Sequence, residues 1–286
     1  MEYIVFAALV FLSTVIWPVN RWVVRNGGRT VGVGIVISIT VAVLATIIAL
    51  CTGNSVIHPI ATPLGVVMGF AYSIGFCVLI FECLRIGPAG LTTVANNMGI
   101  LAVIATEMIF FSAKPPTITT FIGLLLIICA LIVLSTGRDL RESISKRWLV
   151  LVILGWLCAC VSMVSQFLTS QLASASEVWA YVLSGYFVSF LVLTAIHIYK
   201  KAEKINKVEI VGGITTALIS ICIFPLNFYL LNELKVPGAV VFPVTLSLPI
   251  VVMLIIGAVV YREKISAKSF IACLAVIGGV VLLKLM

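Results

Sequence analysis

Charge is what this sequence has least of. Only 10% of its 286 residues are charged, against roughly 25% in soluble domains, while 62% are hydrophobic and the mean hydropathy is +1.28. No water-soluble fold hides that much apolar surface. Nowhere is there a polar stretch long enough to fold by itself, so a signalling or scaffolding role would have to rest on short loops. A cleavable leader is missing too: MEYIVFAALVFLSTVIW has neither a basic n-region nor a small-residue cleavage site, and reads as a first membrane helix that is retained. Cys51, Cys77, Cys83, Cys129, Cys158, Cys160, Cys222 and Cys273 follow no metal-ligand or disulfide-framework spacing. They read as small hydrophobes within apolar runs. No phosphate-binding loop, His-Glu-x-x-His or Ser-His-Asp arrangement is present. The expectation is a protein that is not an enzyme and carries no cofactor or metal.

What the chain has is apolar length. A bilayer core about 30 Å thick needs about 20 apolar residues per helix, and runs of that order recur from Tyr3 to the C-terminus. Strands of a transmembrane barrel would alternate in hydropathy over roughly ten residues. These runs are continuous, which favours helices. Charged and Pro/Gly/Asn breaks place helices near 3–25, 31–51, 61–84, 88–111, 117–135, 148–168, 178–199, 210–231, 238–260 and 266–285. The firmest breaks are RNGGRT, TGRDLRESISKR, KKAEKINKVE and YREKIS, because a charge at mid-bilayer costs at least a few kcal/mol. The expected fold class is an all-α integral membrane protein of ten transmembrane helices.

The basic residues sort by loop. Loops one, three, five, seven and nine carry fifteen of the 18 Lys and Arg residues: Arg21, Arg25, Arg29, Arg85, Arg138, Arg141, Lys146, Arg147, Lys200, Lys201, Lys204, Lys207, Arg262, Lys264 and Lys268. The even loops hold Lys114 and Lys235, and the C-terminal end holds Lys284. An excess of Lys and Arg marks cytoplasmic loops. A multi-pass protein of the cell membrane is therefore expected, with odd-numbered loops cytoplasmic and both termini outside. The net charge of +8 lies in short loops instead of on one amphipathic face, so no nucleic-acid partner is expected.

The chain matches itself without gaps at an offset of 149 residues. The stretch from Arg85 falls on that from Leu234, so that Pro88 meets Pro237, Lys114 meets Glu263 and Gly123 meets Ala272. Two repeats are expected, 1–137 and 138–286, of five helices each and forming one membrane domain. Five is odd, so the second half enters the membrane from the opposite side and the repeat is inverted. Halves related in this way can rock around a central site, opening it to one side and then to the other.

Polar groups within spans are informative because lipid-facing positions would bury them without partners. Asn96 and Asn97 lie near the middle of the fourth helix, and their repeat equivalents are Thr245 and Leu246, followed by Ser247 and Pro249. Helices four and nine are expected to face each other across a cavity, although an Asn can equally bond a neighbouring helix. Trp17 and Asn20, with Gln166 at the repeat equivalent of Trp17, form a second candidate set. Tyr72, Tyr186 and Asn227 add polar tips in helices three, seven and eight, the tyrosines alternatively serving as interface anchors. Pro225 and Pro249 interrupt their helices. Glu107 is the candidate for proton coupling, against the alternative of an interfacial carboxylate near Lys114. Glu82, Glu177, Glu233 and His197 fall at span boundaries. With so few charges deep in the spans, the cavity should favour neutral or zwitterionic solutes. Gly65-x-x-x-Gly69 permits close helix approach.

Two motifs carry a resemblance. Trp17-Pro18-Val19-Asn20 followed by Arg25 is similar to the first-helix Trp-Gly-x-Asn of the drug/metabolite transporter superfamily. Tyr261-Arg262-Glu263-Lys264-Ile265-Ser266, with Gly278-Gly279 beyond it, resembles the signature between helices nine and ten of its EamA-like permeases. Lys114-Pro115-Pro116 stand where that family often has an acidic residue, and Ala272 where Gly is usual. The resemblance implies ten helices in two five-helix repeats and transport of amino acids, amines, nucleotide sugars or other metabolites. The leading expectation is a permease that moves a small neutral or zwitterionic metabolite, such as an amino acid or amine, by alternating access. Its partners would be a small-molecule substrate and membrane lipids, with a homodimer left open. A lipid flippase on the same fold shares every feature, and a lateral opening to lipid would set it apart. A membrane-embedded lipid enzyme would need clustered acids, histidines or basic residues.

Overall fold

The computed structural model describes residues 2–86, 92, 95–111, 118–135, 145–259 and 267–284. Pro88, Lys114, most of the fifth loop and the YREKIS run lie outside the described residues, as does the side chain of Trp17. Each apolar segment read from the sequence is helical where described, save for a turn at Met98 and Gly99 within 88–111. The elements are α1 (Glu2–Arg25), α2 (Thr30–Cys51), α3 (Ala61–Ala71), a π-helical stretch π1 (Tyr72–Ile80), α4 (Phe81–Ile86), α5 (Ile100–Phe110) and α6 (Ile118–Ser135). After these come α7 (Lys146–Leu172), a 3-10 turn (Ala175–Glu177), α8 (Val178–Tyr199), α9 (Lys207–Phe228), a second π-helical stretch π2 (Tyr229–Glu233), α10 (Gly238–Val259) and α11 (Ala267–Lys284). Among the described residues no strand occurs.

Among the described residues six segments are long and apolar enough to cross a membrane: Glu2–Asn20, Thr30–Cys51, Ala61–Ile80, Lys146–Leu172, Val178–Tyr199 and Lys207–Glu233. Shorter apolar helical stretches are Ala95–Phe110, Phe121–Ala130, Gly238–Pro249 and Phe270–Gly279. Large apolar side chains stand outward along these helices, among them Ile4, Phe11, Phe110, Leu125 and Ile271. A soluble surface would not tolerate so extensive an apolar coat. The architecture is that of an all-helical, multi-pass membrane protein.

Small residues set the packing. α2 and α8 cross with Ser38 and Ser189, both fully buried, joined by a 3.1 Å hydrogen bond. α3 lies on α8 so closely that a Cβ on Gly65 would strike the Tyr181 carbonyl and one on Gly69 the Gly185 carbonyl. This is the close approach that Gly65-x-x-x-Gly69 permits. Further neighbours are α2 with α9, α1 with α9 and α10, α7 with α3, π1 and α5, α5 with α10, and α6 with α11. One apolar core runs through α2, α3, α8 and α9 around Val41, Met68, Tyr181 and Phe228. Another joins α1, α5, α7 and α10 around Leu9, Val103, Phe167 and Val241.

The third and eighth segments depart from the regular helices read from the sequence. Each leaves α geometry in its later part, at π1 and π2. Upstream of π2, Pro225 cannot donate to the carbonyl four residues back, which loosens the ladder there.

Candidate functional site

Two polar breaks in the helices line one cavity. Residues 95–97 are helical, the chain turns at Met98 and Gly99, and α5 starts at Ile100. Gly99 N–H donates to the Asn96 carbonyl at 3.2 Å and Leu101 N–H to that of Met98 at 3.0 Å, so the ladder shifts locally from four-residue to three-residue spacing. Gly99 is also where the strand of backbone comes near α7: a Cβ there would lie 3.1 Å from the Ala159 carbonyl carbon. On the facing wall stands π1. Irregular backbone at membrane depth is tolerated where it is buried in protein or lines a cavity, and π-helical segments are frequent at functional sites.

Between these breaks lies a cavity of about 140 Å³ lined by Ala71, Tyr72, Phe76, Asn96, Ser162 and Met163, with Cys158 and Ala159 completing it. The first four come from residues 1–137 and the others from 138–286. The wall is aromatic on one side: the Tyr72 and Phe76 rings stack at 5.7 Å and 14°. Tyr186 stands behind Tyr72 at 5.8 Å and meets Phe224 edge-on at 5.7 Å. Among the described residues no formally charged side chain is in the lining.

A second, far smaller cavity of about 20 Å³ is lined by Asn97, Met98 and Ile100, by Leu124, Ile127 and Ile128 of α6, and by Pro243, Leu246 and Ser247 of α10. Adjacent residues on a helix point about 100° apart, which sends Asn96 to one cavity and Asn97 to the other. Thr245 and Ser247 spend their hydroxyls on the carbonyls of Val241 and Pro243 in their own helix.

The remaining candidates are dispersed. Asn20 is half-buried near the end of α1, and Gln166 is half-buried on α7. Neither lines either cavity. Asn227 is buried in α9, and its Oδ1 has no hydrogen-bond partner among the described residues. Glu107, the proton-coupling candidate, accepts from the backbone N–H of Gly238 (3.1 Å) and Ala239 (2.8 Å). It thereby caps the start of α10, where the helix dipole favours a carboxylate.

The sequence reading passed over Phe76, Ser162 and Met163 as lining residues. It also missed the most deeply buried charge. Glu209 is fully buried in the first turn of α9 and pairs with Arg29 at 2.8 Å. Its carboxylate also accepts from the Arg29 backbone N–H at 2.8 Å and the Asn206 N–H at 3.0 Å. Arg29 reaches on to the Lys204 carbonyl at 2.7 Å, and the hydrogen bond its guanidinium donates to Glu209 holds it above its ordinary pKa. A Cβ at position 32 would lie 2.5 Å from the Glu209 carboxylate and would force it to shift. Among the described residues no group of three or more His, Cys, Asp or Glu side chains is placed to hold a metal.

No protein-family model matches the chain, and no curated protein matches it. Solved structures do: 29 chains match. One crystal structure, described only as that of a protein, superposes with a TM-score of 0.77 at 13% identity, covering 99% of this chain and 96% of that one. At that identity the likeness shows the fold alone. Fold and apolar surface together define the class, an all-helical multi-pass membrane protein.

Proposed function

We propose that the chain is a membrane permease of the drug/metabolite transporter type, with ten crossings in two inverted five-helix halves. It moves a small neutral or zwitterionic metabolite, such as an amino acid or amine, by alternating access. The observation that carries this reading is the cavity lined by Tyr72, Phe76, Asn96 and Ser162, which is uncharged, lies between the two halves and has broken helices in its walls. Carriers bind solute at such discontinuities near mid-membrane.

The helix contacts support the inverted repeat. When each of the ten segments is exchanged for its counterpart five segments away, α3 with α8 becomes α9 with α2, α1 with α9 becomes α7 with α3 and π1, and α1 with α10 becomes α7 with α5. The pairs α2 with α8, α5 with α10 and α6 with α11 map onto themselves. The loop contacts support ten crossings. Arg29 reaches the seventh loop at Lys204 and Asn206's cap, and Glu82 pairs with Arg147, linking odd-numbered loops. His58 pairs with Glu177, and Asn232 donates to the Ala173 carbonyl, linking even-numbered ones. Contacts that respect loop parity are what alternating crossings require.

A lipid flippase on the same fold is favoured by one observation. An open groove of about 500 Å³ between α3 and α7 is lined almost wholly by apolar residues, Leu64, Val67, Val161, Val164 and Leu168 among them.

A thermal-shift screen of the detergent-solubilised protein separates the two, since a ligand that binds only the folded state raises its stability by mass action. Amino acids, amines, sugars, nucleosides and lipid headgroups are the probes. A saturable shift with one soluble class, abolished by Asn96→Ala, supports the permease. Stabilisation by one lipid and by no soluble ligand supports the flippase.

A further inference from the structure

A carboxylate contact stands at an equivalent place in each half, on opposite ends of the bundle: a hydrogen bond between His58 and Glu177, and an ion pair between Arg29 and Glu209. His58 Nε2 lies 3.1 Å from Glu177 Oε1, and Arg29 Nε lies 2.8 Å from Glu209 Oε1. The offset of 149 carries His58 to within two residues of Glu209, and Glu177 to within one residue of Arg29. Each pair therefore takes one partner from each half. Each also sits over a helix contact that the exchange of halves interconverts. His58 precedes α3 and Glu177 precedes α8, whereas Arg29 precedes α2 and Glu209 opens α9. α3 packs on α8, and α2 on α9.

The local chemistry makes each pair a rigid fastening. Nδ1 of His58 accepts the Ala61 N–H at 3.2 Å, and its backbone N–H donates to Thr62 Oγ1 at 2.8 Å, so the ring is fixed to the start of α3. Glu177 is held by a reciprocal cap with Ser174 at the start of α8. Glu209 is held by the equivalent cap with Asn206 at the start of α9. Pulling the helix ends apart at either face breaks one contact and leaves the other untouched.

We propose that Arg29–Glu209 and His58–Glu177 are the paired gates of this protein, one on each membrane face, and that opening either one favours closure of the other. The proposal rests on the alternating-access reading above. The fastenings differ in strength, because Glu209 is fully buried and accepts several bonds, while the His58 and Glu177 side chains are 19% and 26% exposed. The even-loop gate is therefore the easier to open.

Hydrogen exchange of the full-length protein in lipid nanodiscs tests this without any substrate. In Glu177→Gln, backbone amides around 58–65 and 174–182 should exchange about tenfold faster, the ratio expected for losing one charge-assisted hydrogen bond. Those around 29–36 and 206–213 should slow. Glu209→Gln should give the mirror pattern. If Glu209→Gln does not fold, Glu177→Gln decides alone, since its partly exposed pair can be lost without burying an orphan charge. The slowing on the far face is the decisive readout, because a merely structural contact changes exchange only near itself. Local acceleration with no change across the membrane overturns the gates. If the thermal-shift ligand still binds such a variant, the permease reading survives that loss. Reciprocal exchange in a protein that no soluble ligand stabilises keeps the gates and removes the solute permease.

Discussion

The rod of α3 and π1 and the rod of α9 and π2 both leave α geometry towards their ends, yet their surroundings differ. π1 is open on one side, where Tyr72 and Phe76 line the cavity and Phe76 is 37% exposed. π2 faces the core through Leu230 and Leu231, at 2% exposure or less, and Phe228 just before it is 1% exposed with the Tyr181 ring 5.8 Å from its own. The same backbone irregularity lines a cavity in one rod and serves as a packing element in the other. The aromatic wall of that cavity comes from Tyr72 and Phe76, and Cys158, Ala159, Ser162 and Met163 of α7 complete it.

The contrast can be broken most severely at the contact that fixes the open rod. Gly69→Val drives a side chain into the Gly185 carbonyl and should cost about 3 kcal/mol or more, seen as loss of the monodisperse folded species in detergent. Next is the packed rod: Phe228→Ala should lower stability by about 3 kcal/mol in a thermal melt while leaving ligand affinity unchanged in the protein that remains folded. Phe76→Ala should do the reverse, with little change in melting temperature and weaker binding. Equal effects of these two substitutions on stability would remove the distinction between the rods. Gly32→Ala presses on the Glu209 carboxylate and should destabilise by about 1–2 kcal/mol, an effect that Glu209→Gln would not add to fully because the two share one contact. The smallest change runs the other way. Asn227→Leu removes a buried acceptor that has no partner and should raise stability by about 1 kcal/mol.

Much of the fold could be read from hydropathy and charge, because both report where lipid ends. The breaks before Thr30, Lys207 and Lys146 fall at charged runs, and the helices begin there. The close approach of α3 and α8 was written in the spacing of Gly65 and Gly69. The π-helical stretches and the turn at Met98 and Gly99 were not legible, since hydropathy carries no information on which carbonyl an N–H selects. The Arg29–Glu209 pair joins residues 180 positions apart, each in a charged loop where a solvated side chain is the ordinary expectation. Of the candidate site, Tyr72 and Asn96 come together, whereas Asn97 turns to the α10 side, and Gln166 and Asn20 stay outside both cavities. Ser162 was overlooked because serines within membrane helices so often bond their own backbone.

The measurement that bears most directly on the account is counterflow into proteoliposomes that contain the purified protein and are preloaded with the ligand giving the largest thermal shift. The account predicts saturable, transient accumulation of labelled ligand that is lost in Asn96→Ala although that variant melts like the parent. Ligand that binds and stabilises the protein but never accumulates above the level of protein-free vesicles would contradict it.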